Sequence, residues 1–234
     1  MMILAIESAT AQVGCAIGGP EGVIASVQSA RDRRHAESLV PQIDFARSQS
    51  GVELSDLDAI AVDVGPGLYT GLRVGVTTAM TMAHALGVPV VAVSSLDVVA
   101  FPLRFADRPI EVVIDARRGE VFHARYQPGP DLPERISEPA VLDPADLARQ
   151  IRERGREVLI VGDGALRYRS DLDDLTLARA ADPGLAFPSA ASLAMLARAR
   201  AEAGDHVPPD EIRPLYLRRP DAQAKWVPAG EATA

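Results

Sequence analysis

The chain has 234 residues, 47% of them hydrophobic and 24% charged, enough apolar material for one large domain or two of about 100–130 residues each. Its 24 basic and 32 acidic residues leave a formal charge of −8, which excludes the broad basic footprint that grips nucleic-acid phosphates unaided. A single cysteine, Cys15, excludes an internal disulfide, and residues 1–7 lack the basic flank of a secretory signal; both lead to the expectation of a cytoplasmic protein.

Residues 3–7 and 13–17 are short apolar runs joined by a tight connection, and residues 23–28 read as a third strand after the turn Gly18-Gly19-Pro20-Glu21-Gly22. Residues 34–49 place Ala36, Leu39, Val40, Ile43 and Ala46 at helical spacing, with Pro41 predicting a kink or a late start. A buried strand at 59–64 runs into Gly65-Pro66-Gly67-Leu68-Tyr69-Thr70-Gly71, where a chain leaving a strand must turn into a helix. That helix covers about 70–86, a strand follows at 88–93 and a short helix at 95–101. Residues 74–96 carry no formal charge, but threonines, serines, His84 and Gly87-Val88-Pro89 interrupt them, so they read as a buried helix and strand and not as a membrane span.

The pattern then restarts. Strand, turn and strand recur at 112–115, 116–119 and 120–126, and the spacing from Glu7 to Cys15 equals that from Asp115 to His123, 8 positions each. Residues 158–161 lead into Gly162-Asp163-Gly164-Ala165 as 59–64 lead into the first glycine loop, which predicts an α/β fold that is duplicated. Asp143-Pro144 supplies an N-cap and a proline in the first turn, Leu147 and Ile151 one face, and Gly155 a stop. A second helix is expected at 189–203, closed by Gly204, with residues 229–234 fraying beyond it. The expected division is a first half at 1–104 and a smaller second half at 105–234.

Catalytic chemistry is hard to find in these residues. There is no Gly-x-Ser-x-Gly turn, and Ser94 or Ser95 reads better as a hydroxyl capping the helix that holds Asp97 than as a nucleophile. The histidines are His35, His84, His123 and His206, no two within one turn, and Cys15 is alone in a strand, so no metal set is expected. Glu7, Gly65, Pro66, Gly67 and Arg73 are weak candidates for an anion or nucleotide loop, although no Gly-x-x-x-x-Gly-Lys-Ser/Thr occurs and Lys225 is the single lysine. Close strand-to-helix packing explains the same glycines equally well. The helix at 70–86 has charge only at Arg73, and its apolar and small residues exceed what one side of a sheet can cover, so a partner is expected on its other side. The helix at 34–49 is the competing cover from within the chain.

The segments Ile3-Leu4-Ala5-Ile6-Glu7-Ser8-Ala9-Thr10, His35-Ala36-Glu37-Ser38-Leu39-Val40-Pro41, Gly65-Pro66-Gly67-Leu68-Tyr69-Thr70-Gly71-Leu72-Arg73, Ser94-Ser95-Leu96, Asp115-Ala116-Arg117, Gly162-Asp163-Gly164-Ala165 and Pro214-Leu215-Tyr216-Leu217-Arg218 resemble, in the same order, the TsaB (YeaZ) family. The resemblance implies an actin-like, sugar-kinase/Hsp70-type (ribonuclease H-like) duplicated fold. It also implies a non-catalytic subunit in the making of threonylcarbamoyladenosine at position 37 of tRNAs that read codons starting with A. The implied partners are the catalytic paralogue TsaD and the ATPase TsaE, with ATP and a metal on the partner subunits, none held by this chain alone, and tRNA reached through the complex. TsaD-like chains carry a metal-binding His-x-x-x-His whose positions fall here at about Ser95 and Val99. The family also implies that the helices at 34–49 and 70–86 form the contact with TsaD, or with a second copy in a homodimer, with Val40, Ile43, Thr77, Met80, Thr81 and His84 as contact candidates. Two residues depart from the family pattern: Glu7 stands where many members have Asp, and Leu68 where a small polar residue is usual. The reading from another class is a stand-alone nucleotide-dependent phosphotransferase or ATPase of the sugar-kinase type, with Glu7, Asp115 and Asp163 organising Mg²⁺.

Overall fold

The computed structural model describes residues 1–30, 35–172 and 178–218. Arg34 at the expected helix start, Lys225 and the expected frayed end at 229–234 lie outside them.

The first half opens with β1 (Ile3–Glu7), β2 (Gln12–Gly19) and β3 (Gly22–Ala30), followed by α1 (His35–Ser50). Next come β4 (Ala59–Gly65), α2 (Tyr69–Leu86), β5 (Val90–Ser94) and α3 (Ser95–Ala100). Its sheet runs β3-β2-β1-β4-β5, with the β1–β2 and β2–β3 pairs antiparallel and the β1–β4 and β4–β5 pairs parallel. The second half repeats this with β6 (Ile110–Arg117), β7 (Glu120–Gln127), β8 (Glu134–Arg135), β9 (Ala140–Leu142), α4 (Pro144–Arg154) and β10 (Val158–Val161). The short helices α5 (Asp163–Arg167) and α6 (Arg169–Leu172), then β11 (Ala178–Ala180) and α7 (Ala190–Glu202), complete it. Its sheet runs β11-β10-β6-β7-β8, again an antiparallel hairpin beside parallel strands.

The duplicated order of elements is therefore present, and it is the actin-like, ribonuclease H-like arrangement that the resemblance implied. The equal spacing of Glu7/Cys15 and Asp115/His123 is not a shared register, however: Cys15 stands opposite Ile6, and His123 opposite Val113. Nor does Pro41 delay its helix. It sits exposed inside α1, where the one helical hydrogen bond that its missing N–H removes lies on the solvent side.

Alternation along the strands sorts side chains by size. Leu4, Ile6, Val13, Cys15, Ile17, Ile60 and Val62 point to the α1/α2 side, whereas Ala5, Ala16, Ala59 and Ala61 point to the other. That alanine face lets α7 come close, through Ala190, Leu193, Ala194 and Ala197. The helix that covers the first sheet is thus supplied by the second half of the chain. Caps follow the sequence: Asp143 accepts from the Ala145 N–H, Ser94 from Leu96 and Ser189 from Ser192, while Gly87 ends α2 at φ 71°.

Candidate functional site

Three strand ends, those of β1, β4 and β5, meet at the carboxyl edge of the first sheet, where open α/β sheets present their ligand sites. They place Glu7, Asp63 and Ser95 together, and all three are 0% exposed. Glu7 Oε1 accepts the Ala9 N–H at 2.8 Å. Asp63 Oδ1 accepts the Gly65 N–H at 2.7 Å and the Ser95 hydroxyl at 2.6 Å. Glu7 Oε2 and Asp63 Oδ2 find no N–H or O–H donor, so a proton carried by Glu7 toward Asp63 is what satisfies them. Burial first, and the charge of Asp63 second, push the Glu7 carboxyl well above its ordinary range. Burial raises Asp63 as well, opposed by hydrogen bonds from Glu7, Ser95 and the Gly65 amide.

The glycine loop closes this edge instead of cradling a ligand. A Cβ on Gly67 would collide with the Ala9 carbonyl, whose oxygen accepts the Leu68 N–H at 2.7 Å. Gly75 meets the Ser8 hydroxyl just as closely, and that hydroxyl donates to the Gly71 carbonyl at 2.8 Å. Gly65 and Pro66 are buried, and the Leu215 carbonyl lies 3.0 Å from where a Gly65 Cβ would be. Of the two sequence readings, the loop geometry matches close packing. Glu7, Gly65 and Pro66 come together buried, with Gly67 half-buried beside them, while Arg73 stands outside on the exposed face of α2. The residues do not fit a metal-bound nucleotide here: the carboxylates face each other in the core and the loop lies flat on the β1–β2 turn. Ser95 and Val99, where paired imidazoles would stand, are a buried hydroxyl bonded to Asp63 and a core side chain 1% exposed.

The equivalent edge of the second half is also self-satisfied. Asp163 Oδ1 accepts the Asp115 N–H at 2.9 Å, and Asp115 is flanked by Arg117 at 3.4 Å and Arg167 at 3.5 Å. Burial, with the Asp115 charge adding to it, raises Asp163 to about 6. Glu7 therefore pairs with Asp63, while Asp115 and Asp163 pair with each other. No group of three or more His, Cys, Asp or Glu suited to a metal ion occurs among the described residues. Sequence reasoning missed Asp63, although a lone acid inside an otherwise apolar strand was the signal for it.

The outer surface of α1 and α2 differs from the expectation of a greasy flank. The apolar and small residues of α2 (Leu72, Gly75, Val76, Ala79 and Ala83) are buried toward the sheet, and Val74, Met80 and Met82 are half-buried against the same core. What α2 shows to solvent is mostly polar, Thr70, Arg73, Thr77, Thr81 and His84, with Tyr69 at its start and Ala85 near its end as the exposed apolar residues. The correction has a simple cause: small residues let the helix sink toward β4, so its apolar arc is covered from within. Apolar surface persists on α1, where Val40 is 62% and Phe45 56% exposed. Between the helices lies a groove of about 460 Å³ lined by Val40, Ile43, Leu54, Thr77, Thr81 and Met82, with Asp44 and Arg47 at its rim. Of the contact candidates, Val40, Ile43, Thr77 and Thr81 meet in this groove, Ile43 as its buried floor; Met80 and His84 are not among its lining residues. No helix of the described residues is long and apolar enough to cross a membrane.

Comparison with known proteins agrees with this picture. The family model described as "TsaD: tRNA N6-adenosine threonylcarbamoyltransferase" matches residues 22–226. The "tRNA threonylcarbamoyladenosine biosynthesis protein TsaB" of Bacillus subtilis is 33% identical, covering 97% of this chain and 98% of its own length. The protein of the same name from Escherichia coli is 28% identical over 93% of this chain and 95% of its own. Among solved structures, YeaZ from Pseudomonas aeruginosa superposes with a TM-score of 0.81 at 28% identity, covering 92% of this chain and 99% of that one.

Proposed function

The chain belongs to the TsaB (YeaZ) family, and from that premise we propose that it is a non-catalytic subunit of the machinery that makes threonylcarbamoyladenosine at position 37 of tRNAs reading ANN codons. In this reading it pairs with a TsaD-like catalytic subunit. A TsaE-like ATPase joins them, ATP and metal belong to those partners, and a homodimer forms through the same face when the partner is missing. One observation carries the reading: at the strand ends where a catalytic relative needs open ligand positions, Glu7, Asp63 and Ser95 are spent on one another inside the core. Carboxylates so enclosed cannot bind a metal or activate a nucleophile without the first sheet opening.

The α1/α2 groove supplies the partner surface. Its apolar floor and threonine rim carry few charges, apart from Asp44 and Arg47, and this composition suits a packed helical contact. Two measurements test the reading. The purified chain is assayed for turnover of Mg-ATP alone, and again with a TsaD-like partner, a TsaE-like ATPase, a donor of the threonylcarbamoyl group and tRNA. Turnover by the lone chain at a rate matching the assembly would replace this reading with the phosphotransferase one. Thr81→Arg, exposed in the groove, is expected to leave the monomer folded and abolish co-elution with the TsaD-like subunit. Unchanged co-elution would misplace the groove.

A further inference from the structure

At the beginning of α2 three flat side chains form a row on the surface. The Arg73 guanidinium lies 4.1 Å above the Tyr69 ring, and the Tyr69 and Tyr216 ring centres are 5.2 Å apart at an interplanar angle of 34°. Both tyrosines stay exposed, 38% and 39%. The row is built in rather than incidental. Tyr69 is fixed in the first turn of an 18-residue helix, and Tyr216 is anchored by its neighbour, whose Leu215 N–H donates to the Val64 carbonyl at 2.7 Å. Arg73 has no carboxylate partner among the described residues, although the chain carries eight more acids than bases and ion pairs engage Arg47, Arg108, Arg125, Arg154 and Arg200.

We propose that Tyr69, Tyr216 and Arg73 are a stacking shelf for an unpaired nucleobase of an RNA strand, with Arg73 also meeting the adjoining phosphate. Aromatic rings and guanidinium planes stack on bases, and a cation with no carboxylate partner among the described residues favours an anionic ligand. The open form of the surface decides between a free nucleotide and a polymer. Small ligands are held in concave sites that enclose most of their surface, whereas this row is open. One stacked base strengthens binding by about 5- to 150-fold, too little to retain a mononucleotide but enough to orient a strand anchored elsewhere. An overall charge of −8 makes such a local contact, beside a partner that holds the rest of the RNA, the form of binding this chain can offer.

The inference rests on the reading of the chain as part of a tRNA-modifying assembly, and the test separates the two. A short RNA hairpin with 4-thiouridine in its single-stranded loop is irradiated with the full chain, alone and with a TsaD-like partner, and its affinity is measured for Tyr69→Ala, Tyr216→Ala, Tyr216→Trp and Arg73→Gln. Crosslinks are expected in the peptides holding Tyr69 or Tyr216. Each alanine change should weaken hairpin binding about tenfold while partner co-elution is kept. Tyr216→Trp should retain affinity, and Arg73→Gln should lower the salt slope by about one. A free mononucleotide in excess should not compete. Equal hairpin affinity in the alanine variants, loss of the partner in place of the RNA, or displacement by the mononucleotide would each overturn the shelf. If the unaltered chain recruits no TsaD-like partner, the functional reading fails, and crosslinking to the chain alone still decides the shelf.

Discussion

Replacing Glu7 by glutamine isolates what the buried acid pair does to the fold. Glu7 and Asp63 are fully enclosed, and Glu7 is kept protonated by burial and by the Asp63 charge. In the unfolded chain Glu7 ionises near its ordinary 4.5, so above that pH folding must take up a proton. A carboxyl raised in the folded state favours folding most at low pH, and stability then falls as pH climbs from 4.5 toward the folded value. One proton taken up corresponds to a loss of about 1.4 kcal/mol per pH unit. Asp163 adds a similar slope only up to about 6, so a decline that continues above pH 6 is the share due to the raised Glu7–Asp63 pair. Glutamine keeps the shape: its Oε1 can accept the Ala9 N–H and its amide can donate to Asp63 without a proton being drawn from solvent. Urea midpoints followed by circular dichroism across pH 5 to 8 should show the unaltered chain weakening and Glu7→Gln nearly flat, with the variant the more stable at pH 8. Parallel curves over the whole range, or a variant weaker at every pH, would refute the shared proton.

Further expectations follow from the same packing. Gly67→Ala drives a methyl into the Ala9 carbonyl and should cost about 1–3 kcal/mol by denaturant titration, while Gly87→Ala, whose added Cβ meets open space, is strained only by its left-handed backbone and should cost about 1 kcal/mol. Asp163→Asn should remove a decline in stability between pH 3.8 and about 6, worth about 3 kcal/mol in total, with the variant the more stable at neutral pH. Glu111 binds His123 at 2.6 Å and Arg154 at 3.0 Å while itself 0% exposed, so Glu111→Ala strands those groups. A loss near 3 kcal/mol is expected, seen as a Tm lowered by about 6–12 °C; a change below 2 °C would show the network to be dispensable.

Much of the fold was legible because it is written in local signals. Asp143-Pro144 and Gly155 bracket their helix as caps should, and the second strand–glycine–helix passage at Val161-Gly162-Asp163 revealed the repeat. The closed character of the strand ends was less legible. Glu7 drew attention by its place, but its meaning depends on Asp63, which is 56 residues away and adjacent only once β1 and β4 pair. The apolar residues of α2 do need cover, but the sheet and the core beneath the helix supply it from within the chain. Small residues such as Gly75 and Ala79 look neutral in a sequence, and only packing shows how far they let a helix sink. Tyr216 could not be linked to Tyr69 from spacing at all, because the contact depends on the tail returning to Val64.

The alanine-lined side of the first sheet carries a consequence for biosynthesis. Its cover, α7, is among the last elements to leave the ribosome, whereas every strand it shelters emerges early. At about 5–20 residues per second, several seconds separate the release of Ser94 from that of Glu202. Until α7 has been made, Ile3, Val91 and Val93 lack the helix that covers them in the folded chain, so this face of the first sheet can be closed only once synthesis has nearly finished.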